Sequence, residues 1–170
     1  VCGKTEEVAK LQDLLIYTLK GIAEIVVKGK LDVAGLGPIN HEVLNSLFMT
    51  ITNANFDAAA FEIEIQKMLK LRNELRAKVS AEKLQDAATF AVTSKESMLE
   101  KAASVGVLAT QNEDVRSLRQ MITYGLKGMA AYADHALNIG KENVEIYAFI
   151  YEALAATLND RMIFDGRNLY

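Results

Sequence analysis

Few residues in this 170-residue chain have the chemistry to act, and they begin at its first positions. Cys2 is the sole cysteine, and Gly3-Lys4-Thr5 follows it at once. A Gly-Lys-Thr triplet ahead of a helix resembles the end of a phosphate-binding P-loop, where backbone amides cradle phosphates and the lysine reaches them. That loop needs a glycine five residues before Gly3, a buried strand ahead of it and a βαβ unit around it. The glycine would precede Val1, and the pattern that follows is helical without alternating strands. The triplet therefore reads as a helix entrance rather than a nucleotide site.

The histidines are no better placed for catalysis. A di-iron carboxylate bundle uses Glu-x-x-His pairs, but the residues three before His41 and His135 are Pro38 and Tyr132. One cysteine and two distant histidines also lack zinc-ligand spacing. Both histidines read as structural or solvated. No serine lies in a G-x-S-x-G turn, and Cys2 has no identifiable base. The residues alone thus assign no catalytic group.

Composition narrows the class further. Nineteen Lys and Arg are scattered among 22 Asp and Glu, a net charge of −3, which leaves no basic footprint for nucleic acid. A single cysteine cannot build an internal disulfide framework, and no apolar run is long enough to span a bilayer or resembles a signal peptide. These features fit a cytoplasmic origin with no membrane partner. Hydrophobic residues make up 51% of the chain, with one proline and no tryptophan, so long packed helices are favoured over sheet.

The elements that must position these residues follow from apolar spacing. Val8, Leu11, Leu14, Leu15, Leu19, Ile22, Ile25 and Val26 recur at threes and fours, predicting an amphipathic helix capped by Thr5 with Glu6 and Glu7 in its first turn. Gly29, Gly35, Gly37 and Pro38 break it, and Asn40 is expected to cap a second helix. Asp57 caps a third, with Phe61, Ile65, Met68, Leu69 and Leu75 inward and a charged tail near Arg72, Glu74, Arg76 and Lys78. An alanine-rich segment is expected from Ser80 to about Val92. A capping box at Thr93 and Glu96 then opens a short helix that Gly106 closes. Asn112 caps a long helix with an inward stripe from Val115 through Met121 to Leu137, running to Gly140, and a last helix covers about 141–158.

One pattern lies beyond helix boundaries. LQDLLIYTLKGIA at 11–23 returns as LRQMITYGLKGMA at 118–130, and LFMTITN at 47–53 aligns with LAATLND at 154–160, both at an offset of 107. This predicts an all-α bundle of two related antiparallel helical modules, at about 5–79 and 112–160, joined by short helices over 80–111. The domain so defined is 1–160. Gly21 and Gly128 align inside helices where each costs about 1 kcal/mol against alanine, so close helix packing is expected at both.

VCGK, VAKLQDLLIYTLKGIA, LFMTITNANFD, VGVLATQNEDVRSLRQMITYGLKGMAAYADHA and YEALAATLND, in that order, resemble the N-terminal helical domain of the hybrid-cluster protein family, also called prismane protein or hydroxylamine reductase. The resemblance runs from Val1 to about Asp160. It implies a cytoplasmic iron–sulfur enzyme with an N-terminal cubane cluster and a hybrid iron–sulfur–oxygen cluster deeper in the chain, acting on hydroxylamine or nitric oxide. It also implies a redox donor and the remaining enzyme domains as partners. In the family pattern the cysteine of VCGK is the last of four cubane ligands, which makes Cys2 the one cofactor-binding, metal-ligating residue carried over.

The chain departs from that pattern at both ends. The three preceding cysteines and the hybrid-cluster ligands are not among its residues, so the expectation is an inactive piece of the enzyme that binds neither cluster and can self-associate. A non-enzymatic helical interaction module is the alternative. Residues 161–170, ending NLY, resemble the remnant of a protease-recognition tag, with a natural frayed terminus as the alternative.

Overall fold

The computed structural model describes residues 3–51, 56–80 and 83–161. Among them are α1 (Glu6–Lys28), α2 (Gly37–Met49), α3 (Ala58–Arg76), α4 (Asp86–Thr89), α5 (Lys95–Val105), α6 (Glu113–Asn138) and α7 (Val144–Ala156), and no strand. Several helix starts are fixed by side chains within three residues. Thr5 accepts from the Val8 amide at 3.2 Å, Asp57 from Ala59 at 2.9 Å, and Asn112 from Asp114 and Val115. Each satisfies amides that the first helical turn leaves without a partner.

The helix α1 is the axis of the fold. Leu11, Leu14, Leu15, Leu19, Ile22 and Ile25 are buried along it, and it packs most extensively on α3 and α7, then on α5 and α4. By contrast, α6 packs chiefly on α2 and less on α7. The helix starts keep the sequence offset: Glu6 and Glu113, and Gly37 and Val144, each stand 107 residues apart. Within the first stretch α1 packs on α3 but only slightly on α2, whose main partner is α6, while α7 goes chiefly to α1.

Several sequence expectations are corrected. Asn40 does not cap α2, which begins at Gly37 with Pro38 in its first turn. Proline suits that place because its absent N–H would have had no helical partner. Asn40 is instead buried, donating to Val33 O and accepting from Tyr151 Oη, both at 2.9 Å. The capping box falls at Ser94 and Ser97 rather than Thr93 and Glu96, and the alanine-rich segment is helical over Asp86–Thr89 alone among its described residues. The last helix begins at Val144, three residues later than expected.

Arg72 is not part of a solvated tail. It is 1% exposed, donates to Ala87 O at 3.0 Å and to Phe90 O, and its guanidinium lies 4.5 Å from the Phe90 ring centre. Burial, with Arg76 nearby, lowers its pKa to about 10. This residue straps the 85–90 segment to the bundle. Glu24 of α1 holds the same segment, accepting from the Gln85 amide at 3.0 Å.

Candidate functional site

Where α1 and α6 pass each other they do not pack closely, and a cavity of about 1100 Å³ separates them. Its α1 wall is Gln12, Asp13, Ile16, Tyr17 and Lys20, which helical spacing sets on one face. Its α6 wall includes Arg119, Gln120, Thr123, Tyr124 and Lys127, each 107 residues from its counterpart on α1. The ends of α2 and α7 contribute another such pair, Thr50 and Thr157. The cavity thus lies between the two stretches that are alike in sequence.

Its electrostatics are uneven. Lys4, Lys20, Arg116, Arg119 and Lys127 line it, against Asp13 and Asp160. Arg119 is engaged by Thr110 Oγ1 at 2.9 Å and Asp160 at 2.7 Å, while Arg116 donates to Thr110 O and Glu113 at 3.2 Å. Lys4 donates to Gln12 Oε1 at 3.0 Å. Lys20 makes no hydrogen bond or ion pair among the described residues, and Lys127 makes only a ring contact with Tyr124, 5.6 Å from its centre. Burial, reinforced by the Arg119 charge, lowers the Lys20 pKa to about 8, and burial lowers that of Lys127. Asp13 is raised by burial although the Val107 amide donates to it at 3.3 Å. Of these cavity residues only Lys4 was considered for chemistry from the sequence, in the P-loop reading that was set aside. The signal was nonetheless there, because Lys20 and Lys127 coincide in the two LKG strings.

The outer side of α6 carries a second feature. Met121, Gly125, Gly128, Tyr132 and Ile139 follow one another at threes, fours and a seven; Met121 is 62% and Tyr132 82% exposed. Their counterparts on α1, Leu14 and Ile25, are fully buried. Met121 therefore corrects the inward stripe expected of α6. The glycines separate in the same way. A Cβ on Gly21 would lie 2.0 Å from Ala87 O, whereas one on Gly128 would meet nothing within 4 Å. Close packing holds at Gly21 and not, among the described residues, at Gly128.

The residues considered for metal chemistry are not brought together. Cys2 lies outside the described residues, as do 162–170 of the tail. Among the described residues no three His, Cys, Asp or Glu side chains gather in a way that could hold a metal ion. His41 pairs with Glu142 at 2.9 Å, and His135 meets the edge of Phe48; the two have structural partners, as expected. Glu142 is lowered by hydrogen bonds from His41 and Tyr147. No helix among the described residues is long and apolar enough to cross a membrane.

Comparison with known proteins adds a family. The chain matches the Prismane/CO dehydrogenase family model over residues 1–165. It is 69% identical over 165 residues to a hydroxylamine reductase of Acetivibrio thermocellus, covering 97% of this chain and 30% of that protein. Hydroxylamine reductases of Desulfitobacterium hafniense and Clostridium perfringens are 48% and 46% identical, each over 97% of this chain and 31% of theirs. The chain thus spans about 30% of the length of the curated relatives it matches.

Proposed function

The chain belongs to the Prismane/CO dehydrogenase family, and from that we propose that it is the helical scaffold of a hydroxylamine-reducing iron–sulfur enzyme. The observation that carries this reading is the 69% identity to a hydroxylamine reductase, sustained over 97% of the chain. In this role the chain performs no chemical step. Cys2, four residues ahead of α1 in the sequence, is its proposed ligand, and the outer face of α6 is offered to the rest of the polypeptide.

The cluster chemistry implied by the family does not fit within these residues. A cubane bound by thiolates takes four cysteines; the chain has one. The described residues also gather no alternative set of ligands. Cys2 is accordingly proposed as one ligand of four, and no step is assigned to either cluster here. The outer α6 stripe supports the scaffolding part of the reading. Gly21 admits the Ala87 backbone to α1, and Gly128 is proposed to admit backbone from the longer protein in the same way.

The test is Cys2→Ala in the complete gene product. The expected result is loss of cubane iron and of its electron-paramagnetic signature, with the helical circular-dichroism spectrum retained. Full iron content and an intact signal would sink the assignment of Cys2. The 170-residue chain alone should give no hydroxylamine turnover after iron–sulfur reconstitution, and measurable turnover would overturn the scaffold reading.

A further inference from the structure

We propose that the cavity between α1 and α6 is a binding site for an oxyanion of the phosphate class, held between Lys20 and Lys127. The first argument is an imbalance of donors. Gln12 Nε2 and Arg119 Nε are buried without acceptors among the described residues, and both side chains line the cavity beside the two lysines. A buried donor left unpaired costs about 1–3 kcal/mol. The two lysines, which have no acceptor in hydrogen-bond reach among the described residues, face this space from its two walls, and what would complete them is a ligand with several acceptor oxygens.

The second argument is charge. Asp13 is the carboxylate whose attraction both lysines feel, and one half-buried carboxylate does not balance two ammonium groups. Asp160 is bound to Arg119 at 2.7 Å. The walls therefore keep a positive excess in a partly desolvated space, where an anion is attracted more strongly than at an open surface. A volume of about 1100 Å³ exceeds that of a free tetrahedral anion and leaves room for an organic substituent beside Tyr17 and Tyr124. The third argument is placement. Lys20 on α1 and Lys127 on α6 come from opposing walls, so one ion between them neutralises both and bridges the two helices.

The experiment is titration of the chain, in chloride buffer, with inorganic phosphate in one arm and phenyl phosphate in the other, followed by calorimetry and amide shifts. Saturable binding is expected, with shifts confined to α1, α6 and the 104–112 connection. The arm that binds more tightly tells a free ion from a phosphate ester. Lys20→Met and Lys127→Met should each weaken binding roughly tenfold or more, the loss of a charge-assisted bond. Lys20→Arg should retain it and guards against a folding artefact. Absence of saturation in both arms, or unchanged affinity in the double Met variant, would overturn the site. So would loss of binding in the complete gene product, since the cavity would then be filled by polypeptide. None of these readouts depends on iron or turnover.

Discussion

Lys20 and Lys127 are a pair by sequence position and share a predicament: each is a half-buried ammonium group with no counter-ion in hydrogen-bond reach among the described residues, and with Asp13 attracting it from further off. The consequence for Lys20 has a definite sign. Its folded pKa of about 8 lies below the ordinary lysine value of 10.5, so the unfolded chain holds more protons between those pH values. Stability from this group therefore rises with pH from about 8 to 10.5 and is lowest below 8. Lys20→Met should stabilise the chain at pH 7 by on the order of 1 kcal/mol, since the desolvation cost disappears. That advantage should shrink by pH 10. Urea unfolding of both proteins at the two pH values in chloride buffer checks it, and an advantage that grows with pH would contradict the burial of Lys20.

At the scale of elements, the difference between α1 and α6 is a difference in what surrounds two similar helices. Gly21 meets the carbonyl of Ala87 because the 85–90 segment is drawn onto α1 by Glu24, Arg72 and the Tyr17–Asp86 hydrogen bond of 2.7 Å. A methyl group there must push backbone aside, so Gly21→Ala should cost about 1–3 kcal/mol. Gly128→Ala should instead stabilise the 170-residue chain by about 1 kcal/mol, the helix-propensity gain at an open position. In the complete gene product the same change should destabilise, if backbone docks there as proposed. Thermal unfolding of the parent, Gly21→Ala and Gly128→Ala chains, and of the complete gene product with and without Gly128→Ala, decides it, and a Gly128→Ala variant stabilised in both contexts would remove the docking role of α6.

For the whole molecule, the two stretches that are alike in sequence interlock, with α1 on α7 and α2 on α6. Asn40 and Tyr151 seal that crossing with a buried hydrogen bond of 2.9 Å. The crossing leaves the outer side of α6 without a described neighbour, and exposed apolar stripes promote association. The isolated chain should therefore self-associate reversibly at high concentration. Met121→Glu with Tyr132→Glu should shift it to monomer by about tenfold in dissociation constant, a change of roughly 1.4 kcal/mol. Sedimentation velocity across a concentration series measures this, and an unchanged association constant would place the contact elsewhere.

Sequence by itself determined the helical class, the starts of α1, α3 and α6, and the family. Thr5, Asp57 and Asn112 were legible because a cap is satisfied within three residues of itself, and long strings such as VAKLQDLLIYTLKGIA carry a resemblance without any fold. Tertiary structure alone decided which apolar and polar groups are enclosed. Arg72 reads as one charge among many until the Ala87 and Phe90 carbonyls reach it, and Asn40 reads as a cap until Val33 and Tyr151 claim its side chain. Gly21 and Gly128 are equal in sequence and opposite in environment, as are Leu14 and Met121. The reason is that local chemistry fixes a helix end, whereas burial depends on partners brought from far along the chain. The cavity is the strongest case, since its walls are a hundred residues apart and become one site only when α1 and α6 stand across from each other.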